Sequence, residues 1–270
     1  MSNYISLHYS DLALAAVFLF ANGVLSVLLD LRLERPLAIS AARMVVQLLL
    51  VALLLKALFA AASPWLTAAV ALAMGIIAGR EARARQQRRL KGLWGYGLGA
   101  GSMVLAGAVV TLFALTTQIR PEPWWAPRYA LPLFGMILGN AMTGVSLGLD
   151  TLGTAAYRER IAIEAQLLLG ATRGEAMRPF ARRALRSGFM PIINAMAATG
   201  VVSLPGMMTG QILSGVDPTE AVKYQLLIMF MIAGATGLGV LLAVLGFAWR
   251  LTDDRHRLRL DRLGAPRDEA

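Results

Sequence analysis

The sequence contains no cysteine and only two histidines, His8 and His256, which lie near opposite ends of the chain. Disulfide bonds, thiolate metal sites and cysteine nucleophiles are therefore excluded. Charged residues are also scarce, because they make up 16% of the 270 residues, against about 25% in a typical soluble domain. No Gly-Lys dipeptide occurs, so the chain has no Walker A loop with which to bind ATP.

Apolar residues account for 57% of the sequence and lie in long stretches that short basic segments separate. A stretch of about 20 apolar residues is long enough to cross a bilayer as an α-helix. We therefore predict an all-α integral membrane protein, with residues 1–270 forming a single transmembrane domain. The seven predicted spans are Asp11–Leu29, Ala41–Ala60, Pro64–Gly79, Gly92–Thr116, Tyr129–Leu149, Phe189–Leu213 and Ala221–Trp249.

Positive charge is distributed asymmetrically. Of the 26 lysines and arginines, 22 lie in or beside alternate loops or in the basic tail, residues 250–270. The other four, Lys56, Arg120, Arg128 and Lys223, fall on or near the opposite side. Because basic loops stay in the cytoplasm, this predicts an outside N-terminus and a cytoplasmic C-terminus in a cell inner membrane. Topology and contact with membrane lipid explain the net charge of +10, so we predict no nucleic-acid partner.

The longest polar segment, residues 150–188, predicts two helices joined by a glycine. A short apolar helix beginning near Glu164 ends at Gly170, a residue type common at helix C-termini. Thr172 and Glu175 then match a capping box that starts a second, amphipathic helix. Two interpretations remain open from the residues alone. The second helix lies on anionic membrane lipid, or the whole unit is a rigid docking element for a cytoplasmic partner.

The sixth predicted span contains Leu204-Pro205-Gly206, which predicts a break in the helix. Carbonyl groups freed by proline must find other partners or line a cavity, as in many transporters; a simple packing kink is the alternative. No Asp or Glu lies in mid-span, so the sequence names no metal ligands. The candidates for a substrate path are Asn140, Asn194, Ser203, Pro205, Met207, Met208, Gln211, Asp217 and Glu220. For Asp217 and Glu220 we favour helix capping as the main role.

Small residues recur at four-residue spacing within the predicted spans. This spacing lets helices approach closely, and it predicts a packed bundle that also self-associates. The four pairs are Gly97 and Gly101, Gly135 and Gly139, Gly144 and Gly148, and Gly206 and Gly210.

Two stretches resemble a known family. Glu164-Ala165, followed at Gly170 by glycine, resembles the EAA loop of ABC transporter permeases, with Gln166 at the third position. The stretch Gly200–Leu213, continuing through Asp217-Pro218 to Gln225, resembles the FetB-type permeases. These are bacterial iron-export permeases, and plant aluminium-tolerance proteins of the ALS/STAR type are their relatives.

The resemblance implies the permease subunit of an ABC exporter that moves iron or a related metal species. It also implies a homodimer working with a separate cytoplasmic ATPase subunit, which carries the ATP and Mg²⁺, so that this chain is no enzyme and holds no cofactor. An ATP-independent channel or secondary transporter, and an ABC exporter of a non-metal solute such as a nucleotide sugar, remain as alternatives. The implied ATPase-coupling residues are Glu164, Ala165, Gly170, Thr172, Arg173 and Glu175.

Overall fold

The computed structural model describes residues 8–61 and 63–265. Within those ranges the chain forms nine α-helices and no β-strand. A π-helical turn, Ala114–Ile119, extends α4, and a 3₁₀ turn, Leu260–Arg262, lies near the C-terminus. The helices are α1 (Tyr9–Leu28), α2 (Glu34–Ala61), α3 (Pro64–Ala84), α4 (Gly92–Phe113), α5 (Pro127–Arg158), α6 (Arg160–Leu168), α7 (Arg173–Ala198), α8 (Gly206–Leu213) and α9 (Pro218–Arg250).

Among the described residues, six helices are long and apolar enough to cross a membrane: α1 to α5 and α9. They correspond to six of the seven predicted spans, and they confirm an all-α chain with several membrane-crossing helices. The predicted segment 150–188 is itself almost entirely helical, because it is shared among the end of α5, all of α6 and the first half of α7. The count of seven and the orientation of the termini stay predictions.

The sixth span predicted over Phe189–Leu213 is not one continuous helix with these bounds. The amphipathic helix and the start of this span are one helix, α7, which continues through Pro179 and Pro191. Residues 199–205 are not helical, and α8 follows them. Gly200 has a φ of +88°, which an α-helix cannot continue, so the break begins before Pro205. The predicted interruption is thus confirmed, but it is a seven-residue turn rather than a kink.

Helices α1 and α2, together with Gly210–Val216, form one compact unit. The Ser26 hydroxyl, at the end of α1, donates to the Glu34 carboxylate over 2.9 Å. The same hydroxyl accepts from the Leu33 amide over 2.8 Å. These bonds satisfy the polar groups of a tight turn, so α2 begins at Glu34, before the predicted start at Ala41.

In the second unit, which begins at Pro64, α5 packs against α7 and α9, with α3 and α4 beside them. The fully buried side chains of Met103, Leu149 and Phe247 lie in this core. The predicted pair Gly144 and Gly148 lies where α5 meets both α7 and α9. A helix packed this closely on two sides is rigidly held.

The segment after α9 is folded, which the sequence did not predict. The Arg259 amide donates to the Leu251 carbonyl over 2.8 Å, turning the chain back on itself. Leu263 is then buried and pairs with Leu90, in the loop between α3 and α4. The amide of Lys91 donates to the carbonyl of Arg262 over 2.8 Å. The described part of the basic tail, up to residue 265, is therefore fixed to a neighbouring basic loop.

Candidate coupling surface and transport path

Helix α6 presents an exposed apolar tip. Ile163 faces inward and is fully buried, which anchors the helix to the core. Leu168 and Leu169 at its end are each 88% exposed, and Ile161 is 74% exposed. Two adjacent leucines with such high exposure are unusual in an otherwise polar segment, because each could bury a large apolar area against a partner. We refer to Ile161, Leu168 and Leu169 as the α6 tip.

Gly170 ends this helix as predicted. Its φ of +92° belongs to the left-handed region that glycine adopts without strain. The Gly170 amide donates to the Leu167 carbonyl over 3.1 Å, and the Ala171 amide donates to the Gln166 carbonyl over 3.0 Å. This pair of bonds is a Schellman motif, which satisfies the last carbonyls of α6 and reverses the chain.

Thr172 starts α7 with the predicted capping box. The Glu175 amide donates to the Thr172 hydroxyl oxygen over 3.3 Å, and the Thr172 amide donates to the Glu175 carboxylate over 2.8 Å. The Thr172 hydroxyl also donates to that carboxylate over 2.7 Å. Bonds from the Thr172 amide and then its hydroxyl lower the pKa of the Glu175 carboxyl. The link between α6 and α7 is therefore defined by hydrogen bonds at both ends.

Ion pairs hold this link to its surroundings. Arg183 of α7 donates to the Glu159 carboxylate over 2.8 Å, at the junction of α5 and α6. The Arg173 amide donates to Nδ1 of His256 over 3.0 Å, and its guanidinium donates to Asp254 over 2.7 Å. The folded C-terminal segment therefore contacts the first residue of α7, which follows Leu169 by four residues in the sequence.

A second set of contacts ties the loop between α3 and α4 to α5. The Asp150 carboxylate accepts from the Gln87 amide over 2.6 Å. The Arg88 guanidinium lies 3.4 Å from the ring centroid of Tyr157, and Arg160 lies on the same ring at 5.5 Å. Such cation–π contacts position the last turns of α5, from which α6 continues.

The structure brings the six predicted coupling residues together in one short stretch. Glu164 and Ala165 are exposed on α6, and Gly170, Thr172 and Glu175 are exposed around the turn. Arg173 is half-buried because it contacts the C-terminal segment. The exposure of Leu168 and Leu169 was not predicted from the sequence. Their signal was a run of leucines immediately before a glycine, in a segment that is otherwise polar. The coupling role itself stays a prediction.

Two candidate path residues occupy exposed positions on packed helices. Asn140 on α5 is exposed, and its amide nitrogen donates to the Met136 carbonyl over 2.9 Å. Asn194 on α7 is also exposed. Helices α5 and α7 run antiparallel, since Gly144 meets Gly188 and Gly148 meets Ala184. This register places Asn140 and Asn194 within about one helical turn of the same depth.

The remaining candidates lie in and after the break. Ser203 is exposed, and its amide donates to the Ala198 carbonyl over 3.1 Å, while Pro205 is half-buried. Met207 packs against the apolar cluster that includes Ile192 and Ile228, and Met208 is half-buried. Gln211 is half-buried, and its side-chain oxygen has no hydrogen-bond partner among the described residues.

Asp217 caps α9 as predicted. Its carboxylate accepts from the Thr219 amide over 2.8 Å and from the Thr219 hydroxyl, with Pro218 as the first helical residue. Glu220 is exposed and pairs with Lys223 over 2.6 Å. Both carboxylates are therefore engaged locally. Across the part of the chain that the structure describes, no group of three His, Asp or Glu side chains could hold a metal ion.

Comparison with known proteins identifies relatives along nearly the whole chain. Residues 9–251 match the family described as "Uncharacterised protein family (UPF0014)". The UPF0014 membrane protein slr1647 of Synechocystis is 40% identical over 75% of this chain and 77% of its own length. The "Probable iron export permease protein FetB" of Escherichia coli is 31% identical over 94% of this chain and 95% of its own.

A plant relative is also found. "Protein ALUMINUM SENSITIVE 3" of Arabidopsis thaliana is 33% identical over 83% of this chain and 80% of its own length. No solved structure matches the chain. Because the family match covers most of the sequence and the relatives align over most of their own length, the chain belongs to the UPF0014 family of membrane proteins, which includes permeases.

Proposed function

We propose that the chain is the permease subunit of an ABC exporter in a cell inner membrane, and that a separate ATPase subunit docks on the α6 tip. The exposed Leu168 and Leu169, at the end of a short helix that a hydrogen-bonded link joins to α7, are the observation that carries this proposal. A rigid apolar knob can bury its surface in a groove of a partner and transmit the partner's movement to α5 and α7. A flexible loop would absorb such movement.

The alternative, in which the amphipathic part of α7 lies on lipid, fits less well. It requires the apolar face of α7 to contact the membrane surface. Met177, Phe180 and Ala184 on this face are instead buried against the rest of the second unit. The α6 tip is exposed instead, and it extends from the end of α5 rather than along α7.

The exposed amides of Asn140 and Asn194 support a homodimer with the transport path beside these helices. In lipid, an exposed amide has only the hydrogen-bond partners that the protein supplies, such as the Met136 carbonyl for Asn140, and each donor or acceptor left unpaired costs free energy. A second copy, or a hydrated path between two copies, would supply partners. Gly139, next to Asn140, has open space where a β-carbon would stand, so a second helix could approach closely there.

We propose iron or a related metal species as the substrate. The names of two relatives point this way, since one is a probable iron export permease and the other refers to aluminium sensitivity. Asn140 and Asn194 offer neutral oxygen donors, which bind a bare trivalent cation weakly. A hydrated or chelated metal species therefore suits this path better than a naked ion.

Transport by the purified chain in liposomes, with and without its ATPase, tests the proposal. The second subunit in this test is a candidate ATPase that contains a Walker A loop. Iron should move only when both subunits and ATP are present, and the isolated chain should be inactive. Transport by the isolated chain would support a channel or secondary transporter and contradict the proposal. ATP-dependent movement of a different solute would support the role as an exporter subunit but would contradict a metal as its substrate.

A further inference from the structure

A groove of about 390 Å³ lies between the first half of α7 and the end of α9. Arg173, Arg178 and Arg182 of α7 line it. The α9 side contributes Leu245 and Trp249, which are 50% and 55% exposed. The groove therefore combines three cationic side chains with an apolar wall that is open to the surroundings.

Two of these arginines carry uncompensated charge. Arg173 pairs with the C-terminal segment, but Arg178 and Arg182 form no salt bridge with any carboxylate of the described residues. They are four residues apart, so they are neighbours on the helix surface. In contrast, Arg183 on another face of α7 pairs with Glu159. Like charges placed side by side favour an anion between them.

The contacts between α7 and α9 give the groove its depth. A β-carbon on Gly188 would lie 2.5 Å from Val240, and Arg173 contacts Asp254 beyond the end of α9. The two helices therefore run antiparallel, and Arg178 is level with the last turn of α9. The apolar run of this membrane-crossing helix ends there. This is the depth at which lipid headgroups and exposed tryptophans meet the hydrocarbon.

We propose that this groove binds one anionic phospholipid from the cytoplasmic leaflet. Arg178 and Arg182 contact its phosphate, and an acyl chain lies along Leu245 and Trp249. Guanidinium groups donate paired hydrogen bonds to phosphate oxygens, and basic pockets between helices on this side suit such headgroups. A zwitterionic lipid has the same phosphate, but it also carries a cation that the arginines repel. The apolar wall distinguishes a lipid from a free anion.

Native mass spectrometry of the purified full chain, supplied with equal amounts of phosphatidylglycerol and phosphatidylcholine, tests this proposal. The wild-type chain should retain phosphatidylglycerol in preference to phosphatidylcholine. The double variant Arg178→Gln, Arg182→Gln should retain about 25-fold less of this lipid, because each arginine near an anionic lipid contributes about fivefold to its binding. Arg186→Gln is the matched control, because Arg186 is exposed on α7 but lies outside the groove. It should behave as the wild type.

Four results would overturn the proposal. The first is that the double variant keeps its preference for phosphatidylglycerol, and the second is that Arg186→Gln loses as much lipid retention as the double variant was expected to lose. The third is that inorganic phosphate displaces the lipid, which would indicate that the groove is a site for a free anion. The fourth is that the double variant loses binding of the ATPase subunit while its lipid retention is unchanged, which would indicate that the groove binds an acidic protein segment. If thermal unfolding shows that the double variant is not folded, Arg182→Gln alone is used, with a loss of about fivefold expected.

Discussion

Gly144 of α5 and Gly188 of α7 bring the backbones of their helices into direct contact: a β-carbon on Gly144 would stand 2.7 Å from the carbonyl oxygen of Gly188. The same β-carbon would lie 3.0 Å from side-chain atoms of Thr236 and Val240 on α9. Glycine is therefore required at this crossing, because three helices meet with no room for a side chain. The crossing connects α7, which follows the α6 tip, with α5, which carries Asn140.

Gly144→Ala should destabilise the protein by about 1–3 kcal/mol, because an added methyl group overpacks the three-helix contact. Gly234→Ala on α9 is the matched control, since its β-carbon would meet nothing within 4 Å. That control should be neutral or slightly stabilising, because alanine favours a helix over glycine. Thermal unfolding of both variants in one detergent measures the difference. Equal melting temperatures would contradict the observed crossing.

Asn140→Leu and Asn194→Leu should each reduce transport by about fivefold to tenfold, which corresponds to the loss of one amide interaction with the substrate or its water. Folding and ATPase binding should be unaffected, because both side chains are exposed. Gln118→Leu is the control, since Gln118 is also an exposed amide and belongs to the π-helical turn after α4. Normal transport by both asparagine variants would show that these residues do not line the transport path.

The C-terminal turn should persist far into the acid range. A hydrogen bond from the Arg257 side chain lowers the pKa of Asp253 from 3.8 to about 2. Because this pKa is depressed by folding, the stabilisation is fully present above about pH 4 and is lost as the pH falls through about 2. A carboxyl NMR titration of Asp253 measures this value.

Arg257→Gln should raise the pKa of Asp253 toward 3.8, the value of an unperturbed aspartate. Arg255→Gln is the matched control, because Arg255 contacts Asp253 only through its backbone amide. A titration near 3.8 in the wild-type chain would contradict the ion pair. So would the same shift in both variants.

Leu263→Ala should loosen the folded C-terminal segment. Leu263 is 5% exposed and pairs with Leu90, so the shortened side chain should cost about 2 kcal/mol of local stability. Hydrogen exchange of residues 251–264 should become faster. Arg255→Ala, at an exposed position in the same segment, should change exchange little. Unchanged exchange in Leu263→Ala would show that this contact does not hold the segment.

The features that sequence reasoning predicted correctly in the coupling region are local. Gly170 and the pair Thr172 and Glu175 act through hydrogen bonds within one helical turn, so their residue types and spacing were sufficient. The cap at Asp217 is predictable for the same reason. Long apolar helices were equally evident, because hydrophobic length alone marks them.

Features that depend on distant contacts could not be predicted in this way. Leu263 is buried by Leu90, which is far away in the sequence, and nothing near Leu263 marks it as a core residue. Glycine spacing also failed to separate the buried pair Gly144 and Gly148 from Gly97 and Gly101, whose β-carbons would meet nothing within 4 Å. The exposure of Leu168 likewise depends on which face of α6 the core covers.

The binding affinity of the purified chain for its ATPase subunit tests the docking role of the α6 tip most directly. The variant Leu168→Glu with Leu169→Glu should weaken binding by at least about tenfold, because leucines buried at an interface each contribute about 1.5–3 kcal/mol. Val201→Glu with Val202→Glu is the matched control: these side chains are 89% and 82% exposed but follow the other end of α7. It should bind as the wild type does. If the folded double variant Leu168→Glu, Leu169→Glu binds the ATPase subunit as tightly as the wild type does, the α6 tip is not the docking site.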